Sequence, residues 1–266
     1  LVITKEHLMY KGNDEVDIAS FETVSRIKST DNFGAKHVIK YLDSFRKYHF
    51  HDTGKNSPFS QMINVINDQY NLYEEGNNLS AFLYSIHENH KAFYSRIVQI
   101  IQSIAPYFLD FFFQPNKENF IRLQWRSKHS SMVYGVSDLS DGTLRFIALT
   151  VLFMQPNLPS SIIIDEPELG LHPFAISKLA GMIKSVAAKN VQVIVATQSA
   201  DLVNHFSPED VITVDLKDGE SHFNRLDDKT LKEWLDVYSV GDLWQRNILT
   251  GGHPTSKNSE KISNYL

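Results

Sequence analysis

The chain has 266 residues, 42% hydrophobic and 21% charged, with a net charge of −5 from 26 Lys and Arg against 31 Asp and Glu. That length supports one large or two closely packed domains with a substantial core, and the composition excludes a disordered, collagenous or coiled-coil chain. The lack of cysteine excludes disulfides, thiolate nucleophiles and Cys-ligated metal sites, and the acidic balance excludes a global basic field toward nucleic acid or anionic lipid, leaving only a local basic face open.

In chain order, LVITKEHLMYKG lacks the basic, apolar and small-residue regions of a secretory signal, and its Leu1 predicts a processed or truncated chain. Residues 2–10 and Val16–Ile18 flank Gly12-Asn13-Asp14 and predict a hairpin at a sheet edge. Val38, Ile39, Leu42 and Phe45 recur at helical spacing within Ala35–Lys47, after which Tyr48-His49-Phe50-His51 alternates as a strand. Asn78 is placed to cap a long helical run that pauses at HENHK and resumes through Phe93, Ile97, Ile100 and Ile104. Phe111–Phe113 and Phe120–Trp125 then read as strands.

From residue 136 the pattern changes to helix and apolar strand in alternation: Thr143–Phe153, Ser161–Ile164, Pro173–Ala187 and Gln192–Ala196. Continuous apolar strands between amphipathic helices predict a parallel sheet covered on both faces. Val211–Asp215 and Ser221–Leu226 flank a Lys217-Asp218-Gly219 turn, a short helix is expected over Lys229–Leu235, and the polar tail is expected to be loosely held. The apolar runs, Val151–Met154 and Ile162–Ile164, are far shorter than the ~18–20 residues of a membrane span, so a soluble, cytoplasmic protein with no membrane partner is expected.

The chemistry concentrates in Ser161–Pro173, SIIIDEPELGLHP, where an apolar run feeds Asp165 and Glu166. A buried strand ending in two acids places them at the carboxyl edge of a parallel sheet, where open α/β sheets bind ligands. Asp165 can hold a hydrated Mg²⁺, while Glu166, turned the other way by strand alternation, can polarise a water. A bare Asp-Glu is more often a pair of solvated acids, so its company decides. Upstream of Asp165, Ser140-Asp141-Gly142 opens an amphipathic helix that includes Arg145, twenty residues before that acid. Ser140 or Asp141 can cap it, Gly142 permits close backbone approach, and the free N–H groups suit an anion. Downstream, Val193–Ala196 ends in Thr197, Gln198 and Ser199, which would lie beside Asp165 if the two strands are neighbours.

The ordered set LSDGTLR, IIIDEPELGLHP and VIVATQS resembles the signature motif, the Walker B strand with its D-loop, and the switch region of ABC-type ATPase heads, most closely the bacterial group of predicted AAA ATPases related to RecF, SMC and OLD proteins. The resemblance extends from about His37 to Gly252. It implies an α/β fold of P-loop NTPase (ABC-head) type, with helices on both faces of the sheet, a helical insertion and antiparallel edge strands. By the resemblance, Asp165 would bind Mg²⁺ through water and Glu166 would orient the water attacking the ATP γ-phosphate. Ser140, Asp141, Gly142 and Arg145 would meet nucleotide held by a second copy, Gly170 and His172 would lie in the D-loop between copies, and Gln198 would take the place of a γ-phosphate-sensing His. An amide can donate a hydrogen bond there but cannot hold a proton charge. ATP and Mg²⁺ are the implied cofactors, and a homodimer closed over nucleotide, with an effector protein or nucleic acid, the implied partners. DNA repair and antiphage defence are the roles it opens.

No Gly-x4-Gly-Lys-Ser/Thr occurs in the sequence: in the nearest run His49 stands where the first Gly belongs and Asn56 where Ser or Thr belongs. In the related group the P-loop precedes the region matching residue 1, so an N-terminal lobe is expected to be missing. The expected organisation is residues 1–60 as the remainder of that lobe, 61–135 as a helical subdomain with strands, 136–252 as the signature and Walker B lobe, and 253–266 as a tail. An ATP-hydrolysing head is the first reading and a non-hydrolysing dimerisation or scaffold module the second. His87-Glu88-Asn89-His90 has the wrong spacing for a zincin helix, His49 and His51 suit hydrogen bonding at the active edge, and Tyr107–Phe113 suit core packing.

Overall fold

Two runs of isoleucine and valine, each too short and too β-branched to favour a helix, form the centre of the fold. The computed structural model describes residues 3–10, 14–19, 21–31, 33–42, 45–217, 219–227, 231, 234–246 and 248–249. In chain order the elements are β1 (Glu6–Tyr10), β2 (Asp14–Ala19), α1 (Phe33–Leu42), β3 (Phe45–Tyr48), β4 (Ile63–Asn64), α2 (Leu79–Asn89), α3 (Lys91–Ile104), β5 (Phe108–Phe111), β6 (Phe120–Ile121), β7 (Gln124–Ser127), β8 (Val133–Gly135) and α4 (Asp141–Met154). They continue with β9 (Ser161–Asp165), α5 (Pro173–Ala187), β10 (Gln192–Ala196), α6 (Ala200–Val203), β11 (Ile212–Lys217), β12 (Glu220–Arg225) and α7 (Val240–Gln245).

β9 is the middle strand of a three-stranded parallel sheet in the order β10-β9-β3. Gln192 pairs with Ser161 and Ala196 with Asp165, so the two apolar runs are sheet neighbours, the condition on which Thr197–Ser199 would lie beside Asp165. On the other side Phe45–Tyr48 pairs with Ser161–Ile164. The sequence predicts helix through Lys47 and strand from Tyr48, whereas the helix ends at Leu42 and the strand occupies Phe45–Tyr48. Phe45 fits the helical period, but parallel pairing with β9 gives its backbone a better-satisfied alternative, and tertiary pairing overrides local pattern.

The helical cover follows from composition. α4 is apolar around its whole circumference, with Leu144 and Phe146–Phe153 all buried, and it packs against α3 and α5. Its one buried hydroxyl, on Thr150, donates back to the Phe146 carbonyl at 2.7 Å, which satisfies it within the helix. The pause at HENHK is a single non-helical residue, His90, between α2 and α3. Asn78 stands at the cap position of α2, but its side chain accepts from the Tyr73 amide (2.8 Å) and donates to the Asp68 and Asn71 carbonyls (2.8 and 2.7 Å), fastening the preceding loop instead.

Antiparallel strands lie apart from this sheet among the described residues, as β1-β2, β4-β6, β5-β7-β8 and β11-β12. The expected edge hairpin at the N-terminus therefore forms its own ribbon. The run Phe120–Trp125 breaks at Arg122-Leu123 because its two halves have different partners, β6 pairing with β4 and β7 with β5 and β8. Phe108 and Phe111 are buried beside Trp125, so this aromatic cluster is core rather than a stacking surface. Leu226, Val240, Leu243 and Leu249 form a satellite core against which Tyr238 and Trp244 pack. The short helix expected over Lys229–Leu235 and the tail fall largely outside the described residues. Among the described residues no helix is long and apolar enough to cross a membrane.

Candidate active site at the sheet rim

β9 delivers Asp165 at its last position, and the chain leaves the strand at Glu166, which adopts φ 38°. Glu166 therefore stands in a left-handed turn past the strand, where the strand alternation expected to separate the two acids no longer applies. A non-glycine residue there carries roughly 1–3 kcal/mol of strain and persists only where neighbours hold it. One holder is visible: the Glu166 amide donates to the Ala196 carbonyl at 2.8 Å, joining the ends of β9 and β10. Thr197, Gln198 and Ser199 follow Ala196 directly, with Gln198 exposed and Ser199 capping α6 through the Leu202 amide (3.2 Å).

The turn at Ser140–Gly142 meets this rim from the side. Ser140 is exposed and caps α4, its hydroxyl accepting from the Thr143 amide at 3.3 Å, and Asp141 is exposed beside it. Gly142 is required by a close approach: a Cβ there would stand 2.4 Å from the Gly170 carbonyl oxygen. The backbone it admits belongs to this chain's own loop after β9. Gly170 itself has φ 74°, a conformation open to glycine at little cost. His172 is exposed and caps α5, its Nδ1 accepting from the Phe174 amide at 3.2 Å.

Arg145, expected near bound phosphate, turns inward. It is 5% exposed, and its guanidinium donates to the Phe50 carbonyl (3.0 Å), the His51 carbonyl (3.0 Å) and the Leu169 carbonyl. The cation thus clamps the loops after β3 and β9 onto α4, with three of its five N–H donors given to backbone oxygens from inside the fold. His51 extends the clamp, its Nε2 lying 2.9 Å from the Asp165 carbonyl oxygen, and it stacks on His49 with ring centroids 4.1 Å apart. His51 thus takes the hydrogen-bonding part expected at the active edge, and His49 stacks against it.

The sequence reading passes over Glu168. Its side chain is buried, and Oε1 accepts a hydrogen bond from the Thr197 hydroxyl, whose oxygen accepts from the Ser199 amide at 2.9 Å. Oε2 is buried with no hydrogen-bond partner. Burial pushes the carboxyl pKa up, hydrogen bonds from Thr197 and the backbone oppose that, and the negative charges of Glu166 and Asp165 push it further up. The only linear cue is a third acid two residues past Glu166.

The assembled rim holds Asp165, Glu166, Glu168, Thr197 and Gln198 at the carboxyl end of a parallel sheet, with the turn at Ser140–Gly142 against the Gly170 loop. Oxygen donors of this kind suit a hard divalent cation, and Asp165 is the acid at the strand's end. Among the described residues no group of three or more His, Asp or Glu forms a cage, so any such ion would need oxygens from a ligand as well.

A family model whose description reads "AAA domain, putative AbiEii toxin, Type IV TA system" matches residues 15–204. No curated protein matches the chain. Among solved structures, one from a study of ATP-driven dimerization and DNA-stimulated activation of SMC ATPases is similar at 16% identity and TM-score 0.43, over 64% of this chain and 99% of that one. An SMC head bound to the C-winged helix domain of ScpA gives 18% identity and TM-score 0.48, over 68% of this chain and 54% of that one. The SMC head with an extended coiled coil bound to the C-terminal domain of ScpA, from Pyrococcus furiosus, gives 18% identity and TM-score 0.44, over 58% of this chain and 39% of that one.

Proposed function

The chain belongs to the AAA-domain family that matches it over residues 15–204, and from that premise we propose that it is an ATP-hydrolysing head. The observation that carries the proposal is the rim itself: an acid pair at the end of a buried parallel strand, with Glu166 held at φ 38° against the end of the neighbouring strand. Residues kept in such conformations cluster at sites where a side chain must be aimed.

In this reading Glu166 accepts a hydrogen bond from the attacking water and aligns it with the γ-phosphorus. Phosphoryl transfer asks little covalent chemistry of a protein and much positioning. Asp165 would hold Mg²⁺ through water, and the ion supplies charge neutralisation on the phosphate oxygens. Gln198 donates through its amide to a γ-phosphate oxygen. Arg145 acts from behind, fixing the loops that carry these groups. Two copies close over nucleotide, each presenting Ser140, Asp141 and Gly142 to the ATP held by the other, with Gly170 and His172 at the seam. Closure in the cytoplasm then moves an effector protein or nucleic acid, in DNA repair or antiphage defence.

The test uses the full-length protein. Glu166→Gln keeps the side chain's size and a hydrogen-bonding oxygen but removes the carboxylate, so ATP turnover falls by about 10²–10⁴ while nucleotide binding persists. Unchanged turnover removes the assigned role. The scaffold reading draws on the lack of Gly-x4-Gly-Lys-Ser/Thr in these 266 residues. It requires ATP-independent dimers and no turnover that depends on Glu166.

A further inference from the structure

We propose that Glu168 is a positioning residue, which through Thr197 ties the loop carrying Glu166 to the loop carrying Gln198. The proposal rests on the hydrolase reading above and names what holds its two polar groups in register.

Three observations converge on it. The Glu166 turn is strained and is held from its N-terminal side by the Ala196 carbonyl. Two residues on, the Glu168 carboxyl receives the Thr197 hydroxyl, so the same pair of loops is fastened a second time by side chains. Thr197 relays the contact, because its oxygen also accepts the Ser199 amide at 2.9 Å, which fixes the backbone on the far side of Gln198. The Glu168 carbonyl accepts the Leu171 amide at 2.9 Å and carries the tie into the D-loop.

The choice of residue is informative. Glu168 is 8% exposed and its Oε2 has no partner, a costly way merely to receive one hydroxyl. A buried acid beside Asp165 and Glu166 holds its proton more readily than an exposed one. Glu166 and Gln198 then move together, and a shift of the Thr197–Ser199 segment is felt at Glu166.

The test combines steady-state ATP turnover, nucleotide affinity and hydrogen exchange on the full-length protein. Glu168→Ala and Thr197→Val remove the same bond from opposite sides. Each is expected to lower kcat by about ten- to a hundredfold, the scale of a small misplacement of a reacting group, with nucleotide affinity changed by less than about threefold. The double variant should be no slower than the slower single one, because both break one tie. Thr197→Ser keeps the hydroxyl and should stay within about threefold of wild type. Should Glu168→Ala fail to fold, Thr197→Val reads the same bond. Losses that multiply in the double variant, or a kcat left unchanged by either substitution, overturn the tie. A wild-type protein with no Glu166-dependent turnover overturns the hydrolase reading instead. Hydrogen exchange then decides alone: faster exchange in Glu168→Ala at both 166–171 and 197–199 upholds the tie, and unchanged exchange at 197–199 removes it.

Discussion

The two faces of the parallel sheet are built from the same residue types and do opposite work. On one face Tyr48, Ile162 and Ile164 are buried, with Val193 and Val195 packed against the same core. On the other, one residue out of phase, Lys47 is exposed, Ile163 is half-buried, Ile194 is 44% exposed, and the column ends at Asp165 and Ala196. Alternation within five-residue strands thus sorts the run SIIID into a face that specifies the fold and a face that leads to the site. Hydrophobicity alone does not separate them, since isoleucine stands on both.

Substitutions one residue apart in phase should expose the asymmetry most strongly. Ile164→Ala leaves a cavity in the main core and should cost about 2–5 kcal/mol in chemical denaturation, whereas Ile194→Ala should cost less than about 1 kcal/mol. Equal losses would mean that the exposed face is covered in solution as fully as the buried one. Arg145→Met ranks next. It keeps much of the volume but leaves the Phe50, His51 and Leu169 carbonyls without their cation, at about 2–3 kcal/mol, and loosens the rim while the face beneath stays packed. Thermal unfolding with hydrogen exchange at residues 50–51 and 169 would check both parts.

A pair of glycines sharpens the same contrast. Gly142→Ala places a methyl 2.4 Å from the Gly170 oxygen and should destabilise by about 1–3 kcal/mol through backbone displacement. Gly181→Ala, in α5 with nothing within 4 Å of the new methyl, should stabilise by about 0.4–1 kcal/mol by restricting the unfolded chain. A tolerated Gly142→Ala would show that the signature turn and the D-loop do not touch as drawn.

How much of this was legible beforehand depends on whether a feature is local. The bounds of α5 and β10 match the sequence reading, and β9 extends it by Asp165 alone, because Pro and polar residues mark the turns and unbroken β-branched runs mark the strands. The acid pair and the polar ending of β10 were legible for the same reason. β3 was displaced by three residues, since its extent is set by pairing with β9, about 115 residues away, and not by its own pattern. The inward turn of Arg145 was hidden likewise: its partners are carbonyls 95, 94 and 24 residues distant, and a carbonyl leaves no trace in a sequence. Glu168 is the clearest case. It reads as one more loop acid until the fold buries it against Thr197.

That burial yields the smallest effect and the most discriminating one, because it varies with pH. Burial raises the Glu168 pKa above its unfolded value, with Glu166 and Asp165 adding in the same direction. A group raised on folding contributes stability that is complete below its unfolded pKa and lost as pH climbs through its folded one. Wild type should therefore lose stability from this residue on going from about pH 4 toward neutrality. Glu168→Gln keeps an oxygen for the Thr197 hydroxyl and does not titrate, so the variant should gain on wild type steadily over that window and hold a constant lead above it. Denaturation midpoints for both proteins at several pH values would reveal the slope. A lead that shrinks as pH rises would mean that Glu168 is held as a carboxylate in the fold, with the hydrogen bond from Thr197 outweighing burial.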